Sequence, residues 1–202
     1  MPTRYSWYPV GERLSIPYEA PQGRRVNAIG AYFSHGPAAG RFAFEATATL
    51  PKRRAKKARV SLTEQAAAHG LRPEQVGPLD SERLVRFIWT IAGRPAVHAS
   101  DWQRERPLVI WLDNYSVHKS ERVQQEQAAW AQAGITLCYL PSYSPELSQI
   151  EPLWHAVKHH QLARRSYGVL GDLLTAVEAA LTQKADLLAT RSQPDLLLRR
   201  AA

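Results

Sequence analysis

Between Asp80 and Leu140 the spacing of apolar positions changes period several times. Leu84, Phe87, Ile88 and Ile91 recur at i, i+3, i+4 and i+7, which predicts one apolar helix face. Asp80 is placed to cap that helix, and Leu79 and Leu84 have the spacing of a hydrophobic staple. After a polar loop from Gly93 to Arg106, Pro107–Leu112 is continuously apolar. Such a run suits a strand covered on both faces, as in a parallel or mixed central sheet. Helical spacing returns over Lys119–Ala133, with Val123 and Trp130 inward and Gly134 at the C-cap position. Ile135–Leu140 is the next strand. Strand, helix and strand in this order predict a right-handed parallel crossover.

Outside this segment the pattern is looser. Residues 1–23 carry Tyr5, Trp7, Tyr8 and Tyr18 among prolines and glycines, and read as turns and short extended pieces. Arg24–Phe33 and Gly40–Leu50 are predicted strands, the second with Phe42, Phe44, Ala46 and Ala48 on one face. The Ser34-His-Gly-Pro link between them predicts an antiparallel hairpin. Residues 51–79 lack clear periodicity, apart from a short helix at Leu62–His69, and read as an insertion or mobile loop. A helix is expected from near Glu151 to about Leu162, and a last amphipathic one over Asp172–Leu188. No element is assigned to the 190–202 tail, and no internal repeat is present.

At 202 residues, 45% hydrophobic and 22% charged, the chain is expected to form one soluble domain. No apolar run approaches the roughly 20 residues of a membrane span. The start, Met1-Pro-Thr-Arg-Tyr-Ser-Trp, lacks the apolar core of a signal peptide. Cys138 is the single cysteine, so no internal disulfide forms, which fits a reducing, cytoplasmic setting; it is expected in the core. Charge alters the picture more. Of the formal +8, all resides in residues 1–60, with 11 Lys/Arg against 3 Asp/Glu; residues 61–202 balance at 15 and 15. The densest run is Lys52, Arg53, Arg54, Lys56, Lys57 and Arg59. A polyanion, most commonly nucleic acid, is one explanation of such a run; a solvated basic loop is the other.

Candidate chemistry centres on two acids. Asp113 follows the predicted strand Leu108–Leu112, at the carboxyl end where open α/β sheets gather functional groups. Glu151 is placed in the first turn of the helix that follows Tyr139–Ile150. Two carboxylates facing one crevice would be hard ligands for Mg²⁺ or Mn²⁺. Each also has a structural reading: Asp113-Asn is a common turn, and Glu151 completes capping-box spacing from Ser148 or caps the helix itself before Pro152. Lys158, seven residues on from Glu151, would share its helix face, with His155 between them. It could meet phosphate, as could His118. His159 and His160 lack the companions a zinc site needs.

Leu112-Asp-Asn-Tyr-Ser-Val-His-Lys119 and Leu140-Pro-Ser-Tyr-Ser-Pro-Glu-Leu-Ser-Gln-Ile-Glu-Pro-Leu-Trp154 resemble the second and third acidic motifs of DDE transposases, and most resemble the bacterial insertion-sequence branch allied to mariner elements. Tyr5-Ser-Trp7, Gly11-Glu-Arg13 and Gly23-Arg-Arg-Val-Asn-Ala-Ile-Gly-Ala31 are similar to the segment after that family's first motif. The resemblance implies an RNase H-like α/β fold, a mixed central sheet flanked by helices. It also implies cut-and-paste DNA strand cleavage and strand transfer with two divalent metals, Mg²⁺ or Mn²⁺. On this basis Asp113 and Glu151 are catalytic metal ligands. Arg24, Arg25, Lys52, Arg53, Arg54, Lys56, Lys57, Arg59, His118, Lys119 and Lys158 are expected on DNA, element ends and target alike. The implied setting is a homo-oligomeric complex at the bacterial nucleoid, without a membrane. The family's first Asp lies on a strand ahead of the Tyr5-Ser-Trp7 match. The expectation is therefore a single partial catalytic domain, lacking that first strand and the helix-turn-helix domain, with impaired activity. A non-catalytic DNA-binding remnant is the alternative, and a nuclease unrelated to transposition a weaker third.

Overall fold

The computed structural model describes residues 10, 25–51, 60–95, 101–142, 144–163 and 167–198. Arg24 and the basic run 52–59 lie outside the described residues. The chain divides into two compact units, one of residues 1–27, 46–78 and 155–184, the other of residues 28–45, 79–154 and 185–202.

The second unit holds the alternating strands and helices. α2 (Ser81–Ala92) starts where the Asp80 side chain accepts a hydrogen bond from the Arg83 amide, and ends at Gly93 in the left-handed region. Its inward face carries Leu84, Val85, Phe87, Ile88, Ile91 and Ala92, all buried. β3 (Leu108–Leu112) and β4 (Ile135–Tyr139) pair in parallel, Leu108 with Ile135 through Leu112 with Tyr139. Between them α3 (Glu121–Gln132), capped by Ser120, supplies the crossover. Val123, Trp130, Ala133 and Ile135 join the α2 residues in one core, with Leu108, Ile110 and Leu137 packed against it. Burying side chains of this size removes about 1.5–3 kcal/mol of unfavourable hydration each.

β3 departs from expectation. Rather than being covered on both faces, its residues alternate: Leu108, Ile110 and Leu112 turn inward, while Val109 is 52% and Trp111 63% exposed. Thr136 and Cys138, their register partners on β4, lie exposed and half-buried, so Cys138 is not in the core. The reason is period-two geometry: with one helical layer against the pair, every second side chain faces away from it.

β1 (Arg25–Tyr32) and β2 (Phe42–Thr49) form a two-stranded sheet, closed by Phe33 N–H to Arg41 carbonyl and Gly40 N–H to Phe33 carbonyl. Among the described residues it is separate from the β3–β4 pair, so the described sheets are two small ones rather than a single central sheet.

In the first unit, the 60–78 stretch has more order than an insertion or mobile loop requires. α1 (Leu62–Ala67) opens on a reciprocal Ser61–Glu64 capping box. Those bonds hold the Glu64 carboxyl below its usual range, the backbone amide of Ser61 contributing most. Ala66 and Leu71 are buried, and Val76 bridges to Ala48. The buried Thr47 hydroxyl donates to the Gly77 carbonyl. α5 (Leu170–Leu198) extends well past the expected end at Leu188. At its start Gly171 donates to the His69 carbonyl, and a Cβ there would lie 2.3 Å from the Gly70 carbonyl oxygen, so only glycine fits.

Candidate metal and DNA site

The site is built on the carboxyl ends of β3 and β4. The Leu140 amide donates to the Leu112 carbonyl at 2.8 Å, carrying the ladder one step past the strands. Asn114 Nδ2 then donates to the Leu140 carbonyl at 2.6 Å, tying the loop after β3 to the end of β4. Asp113 is held between these two anchors.

Its carboxylate is 60% exposed. Oδ1 accepts from the Tyr115 amide at 3.0 Å, the turn-forming bond that Asp commonly makes two residues on. His118 Nδ1 lies 2.8 Å from the same oxygen and 3.2 Å from the Asp113 carbonyl. His118 is in turn steadied by Tyr139, whose hydroxyl donates to its carbonyl at 2.8 Å. The turn reading of Asp113 therefore holds, and it leaves the side chain open to solvent. The turn orients the side chain, both contacts fall on Oδ1, and the carboxylate faces solvent.

Glu151 is exposed at the first position of α4 (Glu151–Ala156), where its amide donates to the Ser148 carbonyl at 3.1 Å. The helix behind it is firmly seated. Leu153 is buried, and the Trp154 ring stands edge-on to Phe42 at 5.5 Å. Gly30 makes room for that ring, since a Cβ there would come within 2.8 Å of Trp154. Trp154 is half-buried in this seat, and Gly30 as its seat has no signal in the sequence.

The other predicted positions are placed as follows. Lys119 is exposed, its Nζ 5.7 Å from the centre of the Tyr139 ring. Arg25 is exposed at the start of β1, and Lys158 is exposed in the other unit. The helix that carries Glu151 is α-helical to Ala156 and widens into a π-helical turn over Val157–Gln161, so the seven-residue spacing to Lys158 is not wholly α-helical. The His155 ring, just ahead of that turn, lies tilted 4.4 Å from His159 and 5.9 Å from His160. Among the described residues no group of three or more His, Cys, Asp or Glu side chains is arranged to hold a metal ion.

Sequence reasoning missed Asn114 and Tyr139 as supports of the site. Asn114 lies inside one motif segment and Tyr139 just ahead of the other, but their partners are backbone carbonyls of the neighbouring segment, which only folding brings near. A sequence-family comparison covers the same ground: the model for the DDE superfamily endonuclease matches residues 56–173, more than half of the chain and including Asp113 and Glu151. No curated protein matches the chain.

Proposed function

Because this chain belongs to the DDE superfamily of endonucleases, we propose that it is the catalytic domain of a transposase of the mariner-allied insertion-sequence branch, cutting DNA and transferring the freed strand. The observation carrying this reading is Asp113. It is an exposed carboxylate at the end of a parallel strand pair, oriented by the Tyr115 amide and His118, inside the matched segment.

Asp113 and Glu151 supply hard oxygen donors, a set that fits Mg²⁺ or Mn²⁺ rather than zinc. When bound, such ions activate the attacking oxygen and stabilise the leaving one. The chain's own part is orientation. The Asp113 turn and the Asn114 tie fix one acid, and the Trp154 seat fixes the start of the helix that carries the other. His118 stands beside Asp113, and it and Lys119, the next residue in the chain, would meet the backbone phosphates flanking the cut.

Nicking of supercoiled plasmid in Mg²⁺ or Mn²⁺ tests the reading. Asp113→Ala and Glu151→Ala are each expected to lower the nicking rate by at least about a hundredfold, the scale on which transition-state charge stabilisation is lost. Full nicking by both variants would overturn it. A second reading, a DNA-binding remnant without catalysis, is favoured by one observation, the confinement of the charge excess to residues 1–60.

A further inference from the structure

His118 is held more firmly than a surface phosphate contact requires. Its side chain is 18% exposed, against 60% for that of Asp113. Its amide donates to the Tyr115 carbonyl at 2.9 Å within the short turn Ser116–Lys119, and its carbonyl accepts from the Tyr139 hydroxyl at 2.8 Å. Tyr139 is the register partner of Leu112, so the turn is tied to the strand pair beside the residue that precedes Asp113. The Tyr115 ring meets the imidazole edge-on at 5.9 Å. Backbone and ring are both fixed.

Nδ1 of this ring faces two oxygens, Asp113 Oδ1 at 2.8 Å and the Asp113 carbonyl at 3.2 Å. An ionised carboxylate and a carbonyl only accept, so Nδ1 carries the hydrogen. Oδ1 also accepts from the Tyr115 amide at 3.0 Å. A carboxylate oxygen has about two acceptor positions, and on Oδ1 both are taken by N–H groups. A cation approaching Oδ1 would meet two polar hydrogens, whereas Oδ2 has no hydrogen-bond partner among the described residues.

We propose that His118 is a positioning residue: through Nδ1–H it holds Oδ1 of Asp113 and leaves Oδ2 as the one oxygen open to a divalent cation. This rests on the reading that Asp113 ligates a metal, and adds which atom does so and what fixes it. Ligation through one oxygen suits small, octahedral Mg²⁺ or Mn²⁺, whereas the larger Ca²⁺ readily takes both oxygens of a carboxylate.

The test uses the full chain with Mn²⁺ alone as the probe, free Mn²⁺ being read by electron paramagnetic resonance. With no DNA present, a loss cannot come from a missing phosphate contact. Asp113→Ala is expected to weaken Mn²⁺ binding most. His118→Ala is expected to weaken it about tenfold or more, the range for losing a group that orients a metal ligand. Its preference for Mn²⁺ over competing Ca²⁺ should shrink as well, because Oδ1 is freed. His118→Asn, whose amide N–H can stand in for Nδ1–H, is expected to stay within about threefold of the parent. Unchanged Mn²⁺ binding in His118→Ala, or equal losses in the alanine and asparagine variants, would overturn the proposal. So would proton–nitrogen NMR that places the hydrogen of the neutral ring on Nε2. That measurement uses the parent chain, so it decides the bond even where the alanine variant does not fold. Full Mn²⁺ binding by Asp113→Ala removes the metal-site reading itself, whereas a loss there with none in His118→Ala removes only the positioning role.

Discussion

At the scale of single residues, the site depends on groups that carry no chemistry themselves. Gly30 is the clearest. A methyl group there would overlap the Trp154 ring, which also meets Phe42, and Trp154 lies three residues after Glu151. Gly30→Ala is expected to cost about 1–3 kcal/mol through overpacking. It should also depress nicking more than it depresses binding of blunt duplex, because Glu151 shifts while the cations do not. Urea midpoints paired with nicking rates check this, and unchanged nicking in a destabilised variant would disconnect the seat from the acid. Asp113 accepts the turn-forming bond from the Tyr115 amide and, in the proposed site, would also hold a cation. Asn in its place can still accept from that amide, so Asp113→Asn should retain the turn and lose the charge proposed to hold the cation.

Among the elements, α2 and α3 are joined by a charged and aromatic cluster away from the acids. Arg122 donates to Glu82 at 2.7 Å and to Glu126 at 2.6 Å, and the Trp89 indole N–H donates to Glu126 at 2.8 Å. Burial pushes the Glu126 carboxyl up, but the bonds from Arg122 and Trp89, with the charges of Arg122 and Arg94, outweigh it and leave the group below its usual range. The Arg122 guanidinium is correspondingly raised, chiefly by Glu126. For an acid depressed in the folded state, the stabilisation is complete above the unfolded value of 4.5 and is lost as pH falls below it towards the folded one. Glu126→Gln is therefore expected to cost about 1 kcal/mol at neutral pH and to flatten the acid limb of the stability curve. Chemical denaturation at several pH values measures both. An acid limb as steep as the parent's would show that other carboxylates set it.

For the molecule as a whole, the described helices include none long and apolar enough to cross a membrane, and the charge excess sits in the first 60 residues. If those cations meet DNA backbone, affinity should fall steeply with salt. Replacing Lys52, Arg53 and Arg54 by Gln should lower the slope of log affinity against log salt by up to about 3. Asp113→Ala should leave that slope unchanged. An unaltered slope in the triple variant would place the DNA contacts elsewhere, on Lys119 or Lys158 for instance.

The sequence by itself determined the local elements and the positions of the acids. Capping by Asp80, the period of α2, the stop at Gly134 and the β3–α3–β4 crossover follow from interactions within a few residues, and they are legible for that reason. Asp113 and Glu151 were visible because their motifs are contiguous. The tertiary structure decided what depends on distant partners. A continuous apolar run reads the same whether one face or both are covered, and only the placement of one helical layer leaves Val109 and Trp111 facing outward. The seating of Trp154 over Gly30 and the tie from Asn114 to Leu140 are likewise set by contacts between segments far apart in the chain. Burial belongs to the assembled surface rather than to any residue's own side chain.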